Sequence, residues 1–96
     1  RAPVDPKTLV RAARDHVNGQ PAFALEVAIM ALYWLARGEG YELTGADVGA
    51  ARDHAAAAAG MLRPGTLVSE RIAESVAGDG PAAKWVRQCL GLDTDP

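Results

Sequence analysis

The sequence predicts an all-α protein, a compact bundle of about five short helices. Three observations lead there. Alanine, the strongest helix former, is the commonest residue in the chain of 96. The β-branched residues are scattered and never alternate with polar ones over a strand-length run. Proline and glycine then divide the chain into segments that each repeat their apolar residues near the helical period.

Asp5-Pro6 reads as an N-cap followed by proline at the first helical position. Leu9, Val10, Ala13 and Val17 fall on one face of this first helix, with Lys7, Arg11, Arg14 and Asp15 pointing away. Asn18-Gly19 is expected to end it in the left-handed conformation. Pro21 opens a second helix, residues 21–37, before Gly38. Phe23, Val27, Met30 and Trp34 share one side, and Leu25, Ile29 and Leu32 nearly the opposite one. Only Glu26, Tyr33 and Arg37 form a polar strip. A helix apolar on two sides is expected to be buried between neighbours, so this one is predicted to be the central helix. A membrane span would need about 20 apolar residues; this run is shorter and contains Glu26.

Residues 38–43 read as a turn. In Thr44-Gly45-Ala46-Asp47 the acid sits at the third helical position, as in a capping box. A third helix is predicted from Gly45 to Leu62, with Val48, Ala51, Ala55, Ala58 and Leu62 inward. Its alanine face suits close approach to a large neighbour, and Gly49 is a candidate for a close helix crossing. Arg63-Pro64-Gly65 breaks the chain, and Thr66 is expected to cap a fourth helix with Val68, Ile72, Ala73 and Val76 inward. After Gly78-Asp79-Gly80, a fifth helix runs from Pro81 to Leu90 and ends at Gly91. Ala82, Val86, Cys89 and Leu90 face in; Lys84, Arg87 and Gln88 face out. The tail from Leu92 is expected to fray.

The length suits a single domain, residues 1–96, that buries roughly two-thirds of its unfolded surface. The start at Arg1 rather than Met suggests a module of a larger protein. The net charge is -2, and acids and bases are spread along the chain. That argues against a polybasic tail or a membrane-surface helix, so no membrane partner is expected. Cys89 is the single cysteine, so no intrachain disulfide can form, and no Cys-x-x-Cys or His-x-x-His zinc pattern exists. A reducing, cytoplasmic compartment is expected. The composition, rich in alanine, glycine and arginine, suggests a bacterial source.

One five-residue stretch occurs twice: Ala12-Ala13-Arg14-Asp15-His16 and Ala50-Ala51-Arg52-Asp53-His54, each two residues after a valine. Both histidines of the protein lie in these copies. A functional reading pairs His16 with His54 at a metal or proton-handling site. The plainer reading is a helix-building unit. Adjacent Asp and His point about 100° apart on a helix, so neither copy builds a dyad by itself. Glu26 is the one carboxylate among apolar residues; if buried, it would have a raised pKa and could act as a general acid. No Gly-x-Ser-x-Gly, P-loop or strand-linked Gly-x-Gly-x-x-Gly appears. The expectation is a non-enzyme with no cofactor and no metal.

Residues 60–92 carry a further pattern. Gly60, Leu62, Pro64 and Gly65, followed by Ser69-Glu70-Arg71, resemble the DNA-binding segment of GntR-type winged-helix regulators. The resemblance covers about a third of the chain. It implies a helix-turn-helix-like DNA-binding domain in which Lys84, Arg87 and Gln88, with Arg63 and Arg71, face the groove. The chain departs from the pattern where that family's second helix begins with serine and arginine; here the turn is Ala77-Gly78-Asp79-Gly80-Pro81. From residue 51 onward, Arg52, Arg63, Arg71, Lys84 and Arg87 face six acids: Asp53, Glu70, Glu74, Asp79, Asp93 and Asp95. That is a poor balance for phosphate contacts.

The leading expectation is therefore a protein–protein interaction or oligomerisation module that associates with itself or another protein. Tyr33, Trp34, Arg37 and Trp85 are the candidate contact residues, since aromatic and arginine side chains often anchor interfaces.

Overall fold

A computed structural model describes residues 5–39, 44–62 and 68–92. Among them the chain forms five helices and no strand: α1 (Pro6–His16), α2 (Pro21–Ala36), α3 (Gly45–Gly60), α4 (Val68–Ser75) and α5 (Pro81–Leu90). None of these is long and apolar enough to cross a membrane.

Most helix ends follow the local chemistry. The Asp5 carboxylate accepts a hydrogen bond from the Lys7 amide at 3.3 Å, and Pro6 starts α1. At the start of α3, Asp47 accepts from the Thr44 amide at 2.8 Å and from its hydroxyl at 3.3 Å. Gly38 and Gly91 follow α2 and α5 with φ of +81° and +75°, conformations that suit residues lacking a Cβ. The exception is α1. It runs into Val17 in helical geometry, Gly19 is not left-handed, and the Gln20 amide closes the end on the His16 carbonyl at 2.8 Å. The expected cap of α4 at Thr66 lies outside the described residues.

The core is built from small and medium side chains. Ala24, Ala28, Ala31 and Leu32 of α2 are fully buried, as are Val48, Ala51, Ala55 and Ala58 of α3. Their short side chains let the two helices lie close together. As a result α2 shares the central position: both α2 and α3 pack against α1, α4 and α5. Gly49 plays no part in this approach, because a Cβ there would meet nothing within 4 Å. The alanines make the close contact, and Gly49 is no crossing point.

Three helices differ from expectation in which residues face inward. In α4, Ala73 is exposed and Ser75 is buried beside Ile72 and Val76. Burying Ser75 is tolerated because its hydroxyl donates to the Ile72 carbonyl at 2.7 Å. In α5, Ala83 and Val86 are the buried pair, with Ala82, Cys89 and Leu90 half-buried at the edge. The third difference concerns α2. Val27, Leu25, Ile29 and Leu32 are buried, but Phe23 and Met30 remain 46% and 43% exposed. The helix is therefore not covered on both sides. Phe23 and Met30 lie on the same stripe as Glu26, Tyr33 and Arg37, at successive spacings of three and four residues, so the charged members hold the whole stripe toward water.

Candidate functional site

The outward stripe of α2 is the most distinctive surface among the described residues. Its C-terminal half is an aromatic–cation cluster. The Tyr33 and Trp34 rings meet edge to face at 5.0 Å between centroids. The Arg37 guanidinium sits 3.5 Å above the centre of the Tyr33 ring. Its Nη1 donates to the Tyr33 carbonyl at 3.1 Å and to the Ser75 carbonyl on α4 at 3.4 Å. Three of the sequence candidates, Tyr33, Trp34 and Arg37, thus form one unit. Tyr33 is exposed, while Trp34 is half-buried and packs against the core. Trp85 is exposed on α5 and belongs to neither of the close ring pairs among the described residues.

The N-terminal half of the stripe is held by contacts absent from the sequence reading. His16 meets the Phe23 ring edge to face at 5.0 Å, while its Nδ1 lies 2.8 Å from the Ala12 carbonyl one turn back in α1. Glu26 takes a two-pronged contact from Arg71 of α4, at 2.6 and 2.8 Å. The hydrogen bonds from Arg71 hold the Glu26 carboxyl below the ordinary glutamate range; partial desolvation opposes this and the Arg71 charge adds to it. The Arg71 guanidinium is held correspondingly higher, chiefly by its hydrogen bonds to Glu26. Glu26 is exposed and ionised, the reverse of the raised pKa that a buried general acid needs.

The DNA-binding candidates are dispersed in their roles. Arg71 is committed to Glu26. Arg87 is half-buried and donates to the Val76 and Gly78 carbonyls at 3.0 and 2.9 Å, so it fastens the α4–α5 turn instead of facing outward. Lys84 and Gln88 are exposed, one turn apart on α5. Arg63 lies outside the described residues.

The repeated five-residue stretch has a structural counterpart. In both copies the burial pattern is the same: Ala13 and Ala51 fully buried, Arg and Asp exposed, His half-buried. Arg14–Asp15 and Arg52–Asp53 form matching exposed ion pairs at 3.0 and 3.2 Å. Each copy rides on a helix packed against α2. The second alanine of each copy is fully buried, so the repeated stretch supplies a core position to each of the two helices. Among the described residues, no group of three or more His, Cys, Asp or Glu gathers to hold a metal ion.

A cleft of about 430 Å³ opens where the end of α2 meets the start of α5, lined by Arg37, Gly38, Gly78, Gly80, Pro81 and Ala82 among others. Its walls are mainly backbone and small side chains. Gly38 is close to Ala82 there: a Cβ on the glycine would lie 3.6 Å from the alanine Cβ.

No family model matches this chain, and neither a curated protein nor a solved structure matches it.

Proposed function

We propose that this chain is a non-catalytic interaction or oligomerisation module and that the outward stripe of α2 is its docking face. The observation that carries this reading is the exposure of Phe23, Met30 and Tyr33 in one line on a helix whose other faces are buried. Covering large apolar groups releases water from them, at roughly 25 cal/mol per Å² of apolar area. Tyr33, Trp34 and Arg37 are residue types that often dominate interface energies, and here they are already ordered by mutual contact. A preordered anchor loses less side-chain freedom on binding.

A photoreactive residue in place of Met30, set against one in place of the exposed Ala57 on α3, tests the reading. It predicts discrete covalent adducts at position 30, lost when Phe23→Glu is added. Equal yields at the two positions would contradict it. Binding to duplex DNA that depends on Lys84 and Gln88 and falls steeply with salt would replace it with the DNA-binding alternative.

A further inference from the structure

Both charged residues of the α2 stripe are held by one element. Arg71 of α4 grips the Glu26 carboxylate at 2.6 and 2.8 Å. One turn further along α4, the Ser75 carbonyl accepts a hydrogen bond from Arg37 at 3.4 Å. The same Arg37 covers the Tyr33 ring. The placement of Glu26 and of Arg37 therefore depends on whether α4 is docked.

The α4 helix is poorly equipped to persist without its neighbours. It has eight residues, fewer than the roughly 12–15 at which an isolated helix is even marginal in water. Its apolar anchorage is narrow. Within the helix only Ile72 and Ser75 are buried, followed by Val76 just past its end, whereas nine residues of α2 are buried. Its contact with Glu26 is exposed to water and correspondingly weak. The carbonyls at its C-terminal end are satisfied from outside: Ser75 by Arg37 of α2, and Val76 by Arg87 of α5 at 3.0 Å. Cations suit that end, where helix carbonyls lack partners within the helix. A short helix finished by its neighbours loses those bonds when it leaves them, so docking and helix formation are one event.

We infer that α4 is a strap that docks and melts as a unit while the rest of the bundle stays folded, and that its state sets the positions of Glu26 and Arg37. When the strap is docked, both ends of the stripe are fixed. When it is released, Glu26 loses Arg71, and Arg37 keeps only its contacts with Tyr33. The two ends of the stripe are coupled because one two-state element holds both. The strap stands on its own contacts. Its consequence for binding, that the docked form presents an ordered Arg37, rests on the docking-face reading above.

Amide hydrogen exchange of the full chain in a urea series, followed by NMR, tests the strap. Residues 72–76 are expected to show protection factors at least about tenfold lower than residues 28–32 of α2, as for a sub-global opening. Their urea dependence should be shallower, because undocking uncovers less surface than unfolding. Equal protection and equal urea dependence in α4 and α2 would overturn the strap. The coupling is tested with Ala73→Pro, which removes a hydrogen bond within α4 at an exposed position. Loss of protection in α4, retained protection in α1, α2 and α3, and shifted Tyr33 ring resonances are expected. Global unfolding of Ala73→Pro would show that α4 is an integral part of the core and would overturn the strap. A melted α4 with unchanged Tyr33 resonances would overturn its control of Arg37. Photo-adducts at position 30 report on the docking face alone, so each reading can fail without the other.

Discussion

Along α2, Ala24, Ala28, Leu32 and Leu35 keep at most 1% of their surface exposed, whereas Phe23, Met30 and Tyr33 keep 37–46%. The outward residues are as large and apolar as the inward ones. Hydrophobicity alone does not assign them; their phase with Glu26 and Arg37 does. The inward side holds the fold together, and the outward side is the proposed docking face. Substitutions on the two sides should therefore separate stability from association.

The largest effect is expected on the inward side. Leu32→Ala leaves a cavity at a fully buried position and should cost about 2–5 kcal/mol in urea denaturation. Ala55→Leu tests the close approach of α3 to its neighbours from the other direction. Ala55 is fully buried, and overpacking there should cost about 1–3 kcal/mol. Gly49→Ala is the contrast within the same helix. No neighbour meets a Cβ there, so the substitution should stabilise the protein by roughly 1 kcal/mol, the helix-propensity difference.

Glu26 should contribute less, because its pair with Arg71 is solvent-exposed. Glu26→Gln should cost at most about 1 kcal/mol at neutral pH. The sign of the pH dependence follows from Arg71 holding the folded-state pKa of Glu26 below its ordinary value. The contribution is fully present above the ordinary glutamate pKa and is lost as pH falls through the lowered one. Denaturation curves of the wild type and Glu26→Gln should therefore converge in acid. The smallest effect on monomer stability belongs to Met30→Ser, within about 0.5 kcal/mol, although it removes the centre of the proposed contact.

Much of the fold was legible because its signals are local. Asp5-Pro6, Pro21, Thr44 with Asp47, and Pro81 with Gly91 each mark a helix end that the chain forms. The alanine face of α3 was legible from its period, because Val48, Ala51, Ala55 and Ala58 recur every three or four residues. The site was legible in part. Tyr33, Trp34 and Arg37 lie within one turn of one another, so sequence alone places them together. Phe23 and Met30 were misassigned because an apolar helix carries little information about which of its sides meets water. The spacing shared with Glu26 and Arg37 was the available signal. The Glu26–Arg71 contact joins residues 45 positions apart, a pairing decided by how α4 packs on α2 and not by local pattern. In α4, Ala73 and Ser75 exchanged their expected roles because the hydroxyl finds a partner in its own helix, which a polarity scale does not register.

Sedimentation equilibrium of the wild type and Met30→Glu over a wide concentration range, alongside their thermal melts, tests the central claim most directly. The account predicts a reversible monomer–dimer equilibrium for the wild type. It predicts a monomer for Met30→Glu, with folded secondary structure retained, because the substitution puts a charge at an exposed apolar position of the proposed docking face. A wild-type chain that stays monomeric at every concentration would contradict the oligomerisation reading, and a dimer that Met30→Glu leaves intact would contradict the claim that the outward stripe of α2 is its docking face.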